Sequence, residues 1–365
     1  MSDIRTCTAE DIPAVARMFQ KTFRDSSRAA SPSLESYMRE LFLEHPWRDP
    51  DATSRVFVGD DGRVHGFIGV LPMRMSFHGQ PVRAALASTL VVDNPAAHPL
   101  AGARLLRSYL TGPQQLYVSE TSNPVARGMW ERIGGREIAE YSMEWLRPLK
   151  PAGLGVALIE EWRASARFLR PPAALIDRAI ARLAPSLAWP APKMPGIYRG
   201  ADADDETLID HIPGFAVHYA LHPDWDRTSL AWFLRHAARK SRHGQLHRRM
   251  VFDRNQAPVG CYLYYGYPRQ IAWVLQILAL PESVNAVVAD LLNHAQQHDS
   301  VAVRGRVQPH LLDTMLRNRC VFFQRSSTTV YSSNADLLGA INAGDAFIIG
   351  LAGEGWTRLI GDQFA

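Results

Sequence analysis

The sequence predicts a mixed α/β protein, with α+β mixed sheets, built as two copies of one fold joined by a helical connector. Three observations lead there. The order strand, helix, hairpin meander, helix, strand, helix, strand occurs in the first 148 residues. Much of that order returns from about Met250, and a Pro- and Ala-rich stretch, different in composition, separates the two. The expected division is 1–148, 149–200 and 201–365. At 365 residues, with 47% hydrophobic and 21% charged residues, the chain is long enough for two cores.

Each element has a local reason. Ile4 to Cys7 reads as a strand, and Thr8 three residues before Asp11 opens a helix with Ile12, Val15, Ala16, Phe19 and Phe23 on one face. Asp61-Gly62 and Gly79 mark the turns of a meander that ends in the strand Ala84 to Val92. The spacing of Gly102, Leu105, Leu106, Tyr109 and Leu110 predicts a helix. "QLYVS" is a strand, Ala126, Met129, Trp130 and Ile133 form a second helical face, and Gly134-Gly135 stops it. Tyr141, Met143 and Trp145 alternate with polar residues, so this segment is expected to close the first half as a half-buried strand. In the second half, "RMVFD", "VGCYLYYG" and "IAWVLQILAL" repeat the meander. A helix follows with Val284, Val287, Val288, Leu291 and Leu292 inward, then "SVAVRG", a helix opened by Pro309, and strands at "CVFFQ" and "STTVYSS".

Composition narrows the functional classes. Forty basic against 36 acidic residues leave a formal charge of +4, too small for bulk nucleic-acid binding, and no nucleic-acid partner is expected. Cys7, Cys261 and Cys320 lie far apart without metal-ligand spacing, which suits a reducing compartment. His310 has no partner nearby in sequence, and no metal site is expected. The charged start and the lack of an 18-residue apolar run point to a cytoplasmic protein without a membrane span. In the connector, Arg163, Arg167, Arg170, Arg178 and Arg182 flank apolar faces. They fit helices packed between domains or, less well because Glu160, Glu161 and Asp177 dilute the charge, a peripheral membrane contact.

The chemistry-bearing stretch is "LVVDNPAAHPLAGARLLRSYL", a strand, a loop and a helix start. Free amides at a helix N-terminus, with the positive end of its dipole, bind anions, and Ala97 to Ala103 can do this. The same loop also serves as an ordinary connection. In the second half Gln276 sits in the third meander strand. Arg304 and Arg306 share a strand face and can grip a carboxylate or phosphate, or simply end a solvated strand. The tail "GDAFIIGLAGEGW" gives no chemistry by itself.

At the junction after Val92 the sequence resembles the GCN5-related N-acetyltransferase family. That family places a Gln/Arg-x-x-Gly-x-Gly/Ala loop between a strand and a helix. Gly102 matches its last small residue, whereas Ala97 and Leu100 stand where the family has the basic residue and the first glycine. "NPVARGMWERIGGREI" resembles the family's second segment through Asn123, Ala126, Met129, Trp130 and Gly134, and "IRTCTAEDIPAVARMF" resembles its first strand and helix. The resemblance covers roughly residues 3 to 147. It implies an N-acyltransferase using acetyl-CoA or another acyl-CoA, held by Leu90, Val91, Val92, Ala97, His98, Leu100, Ala101, Gly102, Ala103, Asn123, Ala126 and Trp130. The acceptor is a small-molecule amine, to which Gln276, Arg304 and Arg306 contribute. By family analogy a carboxylate at the strand end is the base, which points to Glu120, also readable as a helix-start charge. Trp130 occupies the place of the family's usual tyrosine acid, so Tyr117 or Tyr141 replaces it or the thiolate leaves unaided. Two other readings remain: a non-catalytic pair of degenerate domains that binds a ligand or partner, and an enzyme resembling the tandem-domain peptidyltransferases that use aminoacyl-tRNA.

Overall fold

The computed structural model describes residues 3–160, 162–183 and 189–364. The first part of the chain runs β1 (Asp3–Thr6), α1 (Ile12–Phe23), α2 (Pro32–Leu43), β2 (Arg55–Val58), β3 (Val64–Phe77), β4 (Gln80–Val92), α3 (Ala101–Leu110), β5 (Leu116–Ser122), α4 (Pro124–Arg132), β6 (Arg136–Glu137), α5 (Ala139–Ser142) and β7 (Met143–Pro148). Helices α6 (Pro151–Glu160) and α7 (Arg170–Leu183) form the connector. Then come β8 (Arg199–Asp202), α8 (Asp205–Ala216), β9 (Leu221–Pro223), α9 (Arg227–Arg239), β10 (Gln245–Phe252), β11 (Pro258–Gly266), β12 (Ile271–Ala279), α10 (Val284–Gln297), β13 (Ala302–Arg306), α11 (Leu312–Arg317), β14 (Val321–Gln324), β15 (Ser327–Tyr331) and α12 (Ala335–Asn342).

Helix starts follow side-chain chemistry. Asn123, Asp204 and Asp226 each accept an amide of the first turn, at 2.8, 2.8 and 2.7 Å, satisfying donors that the helix itself leaves open. Both sheets share a local device. The β3–β4 ladder shifts register between Ile68 and Val70, and the β11–β12 ladder shifts between Leu263 and Tyr264. Beyond each shift the next, parallel, strand parts from its neighbour. β4 pairs with β5 only from Ala84–Leu116 to Leu86–Val118, and β12 pairs with β13 only from Ile271–Ala302 to Trp273–Arg304.

The two sheets are completed by exchange. The order of the first is β1-β2-β3-β4-β5-β15-β6, with β9 against the far end of β3, and that of the second is β14-β7-β13-β12-β11-β10-β8. Thus β7, expected to close the first half, lies between β13 and β14 of the second sheet, and β15 takes the equivalent slot between β5 and β6. The expected alternation from Tyr141 to Trp145 does not hold: Tyr141 and Ser142 end α5, the strand begins only at Met143, and from Glu144 to Pro148 it is buried on both faces because it sits inside the second sheet, a slot that either sheet offers.

The crossing point is tied by polar groups. Ser142 Oγ accepts the Thr328 amide at 2.9 Å, and Thr328 Oγ1 donates to the Tyr141 carbonyl at 2.9 Å. Arg306 reaches the Tyr141 carbonyl (2.7 Å), Thr328 Oγ1 (2.8 Å) and Ser326 Oγ (2.7 Å). One hydrophobic core then runs through both halves, uniting α1, α2, α8 and α9 with tail residues Phe347, Ile348, Ile349, Leu351 and Trp356. Smaller cores lie under α3 on the first sheet and under α10 on the second.

Residues 1–148 expressed alone are therefore expected to lack cooperative unfolding, because their sheet misses the strand between β5 and β6. A single sharp urea transition for that fragment would contradict the exchange. In the full chain, Arg306→Leu should cost on the order of 2–4 kcal/mol in urea titrations by removing three hydrogen bonds at the crossing and the guanidinium 3.7 Å from the buried Glu120 carboxylate.

Candidate functional site

The region where the two sheets meet holds a cavity of about 690 Å³. Glu120 and Thr121 reach it from the end of β5, Gln276 from β12, Arg304 and Arg306 from β13, and Lys240 from the end of α9. Four residues expected to serve the reaction, Glu120, Gln276, Arg304 and Arg306, thus share one wall although they are up to 186 positions apart. The parity argument for the two arginines holds, since both face the cavity.

Their polar atoms are largely engaged by protein. Glu120 is 1% exposed; its Oε1 accepts the Gly350 amide at 3.0 Å and its Oε2 the Glu354 amide at 2.6 Å. Gln276 Oε1 accepts the Leu351 amide at 3.1 Å. Arg304 forms a buried pair with Glu144 on β7, 2.5 Å from NH2 to Oε2, and lies over Trp273 at 4.3 Å. Arg306 serves the strand crossing. These side chains position the tail and the exchanged strand, a role invisible without the fold. The tail accordingly requires glycines: at Gly350 (φ +68°) a Cβ would lie 2.4 Å from the Leu275 carbonyl oxygen, and at Gly353 one would lie 2.1 Å from Glu120 Oε2.

The tail brings in a carboxylate that sequence reading passed over. Glu354 is 2% exposed and spans the gap between the parted strands, with Ser88 Oγ of β4 donating to its Oε2 at 2.7 Å and Thr121 Oγ1 of β5 to its Oε1 at 2.6 Å. Burial, with the nearby Glu120 charge adding to it, raises its pKa to about 7, against the help of both hydroxyls. Nearby, burial lowers the Lys240 pKa to about 8, while its Nζ donates to the Gly355 and Thr357 carbonyls at 2.7 and 3.1 Å.

The loop before α3 is partly self-satisfied. The Asn94 carbonyl takes the Ala97 and His98 amides (3.0 and 3.2 Å), and the His98 carbonyl takes the Ala101 amide at 3.1 Å. His98 turns away toward the β2–β3 hairpin, its ring 4.4 Å from that of His65. The amides of Ala97, His98 and Ala101 are therefore not the anion donors expected of them. Among the described residues the amides of Leu100, Gly102 and Ala103 have no main-chain acceptor, at the start of a helix with no side-chain cap. Leu100 is 68% exposed and does not plug the opening. Leu90 and Val92 pack toward α3 and Val91 into the main core. Asn123, expected at the cofactor, uses its side-chain oxygen to cap α4, accepting the Ala126 amide. Trp130 is core, edge-on to Tyr109 at 6.0 Å.

Neither candidate acid presents a free hydroxyl. Tyr117 donates to the Gly112 carbonyl and Tyr141 to that of Ala346, and burial raises both phenol pKa values. In the second sheet the parted strands are bridged by Gln308, whose amide accepts from Ile277 N (3.3 Å) and donates to Ile277 O (3.0 Å). That side chain occupies the main-chain groups a ligand would need there.

A shifted ladder, parted parallel strands and an uncapped helix beside them, repeated in two sheets, define the fold of the GCN5-related N-acetyltransferases in tandem. Solved structures with this fold include a protein of Enterococcus faecalis V583 described as a conserved protein of unknown function and probable N-acyltransferase. It has 9% identity and a TM-score of 0.61, over 91% of this chain and 73% of that one. A GCN5-related N-acetyltransferase from Anabaena variabilis (12% identity, TM-score 0.59, 92% and 73% covered) and one from Kribbella flavida (11%, 0.55, 91% and 71%) are similar in the same way. No family model and no curated protein matches the sequence. Among the described residues no helix is long and apolar enough to cross a membrane.

The raised Glu354 pKa fixes a pH dependence. A carboxyl shifted from about 4.5 to about 7 contributes stability that is complete below pH 4.5 and lost as pH rises through 7. Glu354→Gln removes that loss, so chemical denaturation should show the variant gaining on wild type by on the order of 3 kcal/mol between pH 4.5 and 8. Parallel pH profiles for the two proteins would refute the shift.

Proposed function

We propose that the protein is an acyl-CoA-dependent N-acyltransferase that acylates a primary amine of a small, polar acceptor. The observation that carries this reading is the parting of β4 from β5 beside the open amides of Gly102 and Ala103, closed at its far end by Glu354. A Cβ at Gly102 would meet nothing nearer than Met129 Sδ at 3.6 Å. No protein atom demands glycine there, and close approach of a diphosphate to the helix start supplies the reason.

The chain's own groups cover the requirements of acyl transfer. Gly102 and Ala103, at the positive end of α3, hold the diphosphate, and the main chain of β4 beyond Leu86, which has no β5 partner, pairs with the pantetheine arm. Acyl-CoA supplies an acyl group activated as a thioester. Glu354, with a pKa near neutrality and joined to the cavity through the Thr121 hydroxyl, takes the proton from the acceptor ammonium; the neutral amine attacks the thioester carbonyl, the amide C–N bond forms as the C–S bond breaks, and coenzyme A leaves as its thiolate, which takes up the proton the amine gives up. Glu120 becomes a positioning residue that fixes Glu354 through its amide. The cavity between the sheets receives the acceptor, with Thr121 and Gln276 at its wall.

Acetyl-CoA or a longer acyl-CoA should raise the melting temperature, since a ligand of the native state adds about 2.7 kcal/mol at a hundredfold excess over Kd. Gly102→Glu should erase the shift without altering the unliganded melting temperature. Absence of any shift up to millimolar cofactor would favour the non-catalytic pair of domains instead. In turnover assays kcat/KM is expected to rise with pH through about 7, and Glu354→Gln to lower kcat by about 100-fold or more with little change in cofactor affinity.

A further inference from the structure

Away from the cavity, on the far face of the second sheet, three histidines converge. His247 comes from β10, His294 from the last turn of α10, and His298 is the residue that caps that helix, four residues on. One ring nitrogen from each lies within 4.8 Å of the others, and the ring centroids are 4.3 Å (His294–His298), 4.7 Å (His247–His298) and 5.5 Å (His247–His294) apart. Asp202, on β8, places Oδ1 3.7 Å from His294 Nε2. None of these residues lines the cavity, so the cluster does not depend on the proposed reaction.

The surroundings orient the rings. The Tyr264 hydroxyl lies 2.7 Å from His294 Nδ1, which leaves Nε2 pointing to the centre of the cluster, and the ring of His247 stacks on that of Tyr264 at 4.7 Å and 15°. One tyrosine thus fixes two imidazoles, the task that outer partners perform around metal ligands. His294 is buried, His247 half-buried and His298 exposed at the end of its helix, so the site has two fixed walls and one side chain able to close. Arg249 is the nearby cation. It donates to Asp202 Oδ1 at 3.0 Å and lies 3.3 Å from Asp290 Oδ2, and the two carboxylates offset its charge.

We propose that His247, His294 and His298 bind a divalent transition ion of the zinc type, with the fourth position left to water. Imidazole nitrogen is a donor such an ion accepts, at about 2.0–2.1 Å, and closure from the present separations needs only small ring movements and a swing of His298. Such an ion would clamp β10 onto the C-terminal end of α10, the second half's counterpart of the α3 helix.

The test uses the full-length chain stripped with a chelator and titrated with Co²⁺, then Zn²⁺. One equivalent of Co²⁺ should give the intense visible bands of a tetrahedral site, displaced by Zn²⁺, and saturating Zn²⁺ should raise the melting temperature by about 5 °C. His298→Ala, at an exposed position that leaves the fold intact, should abolish the bands. Tyr264→Phe, read by circular dichroism to confirm folding, should weaken the metal by about 10–100-fold. Failure of folded wild type to bind Co²⁺ or Zn²⁺ at millimolar concentration, or equal binding by His298→Ala, overturns the proposal.

Discussion

The exchange of β7 and β15 is the constraint from which the rest of the molecule follows. Each sheet needs, between its fifth strand and its edge, a segment delivered by the other half of the chain. Once the two closing strands have crossed, the ends of β5 and β13 are brought to one seam, and the polar cavity forms there because neither half alone could supply its walls. Arg304 and Arg306 belong to this arrangement: one pairs with Glu144 of the exchanged strand, the other gathers the crossing carbonyl and hydroxyls.

Electrostatics at the seam is correspondingly strained. Glu120 and Glu354 are both buried, and the difference between them lies in their donors. Glu120 is held by two main-chain amides and lies 3.7 Å from the Arg306 guanidinium; Glu354 receives two hydroxyls, and burial, with the Glu120 charge adding to it, raises its pKa to about 7. In the proposed reaction the first of these carboxyls is the holder and the second the proton acceptor. Lys240, buried and with its pKa lowered to about 8, compensates part of the local negative charge while tying the tail through two carbonyls.

Much of the architecture was legible in the residues. Periodicity placed α3, α4 and α10, Asn123 announced its helix, and the shared parity of Arg304 and Arg306 put them on one face. What could not be read was pairing across distance. The pattern from Tyr141 to Trp145 suggests a half-buried strand, whereas Tyr141 ends a helix and only Met143 onward is strand, buried on both faces in the other sheet; and Glu120 at a strand end looks like a base until the Gly350 and Glu354 amides are found on it. Glu354 is one acid in a glycine-rich tail; only burial gives it meaning, and the cue available was the set of glycines that lets the tail thread so close to Leu275 and Glu120. The spacing of His294 and His298 was visible, but His247 joins them through the packing of β10 against α10.

The crossing of the closing strands also sets an order on biogenesis. When Pro148 has left the ribosome, the first sheet still awaits a strand that lies about 180 residues downstream. At translation speeds of roughly 5–20 residues per second the nascent domain stands open for some ten to forty seconds, with the unpaired margins of β5 and β6 exposed. Chaperone demand during synthesis should therefore concentrate on this interval, and slowing elongation within the second half would prolong it.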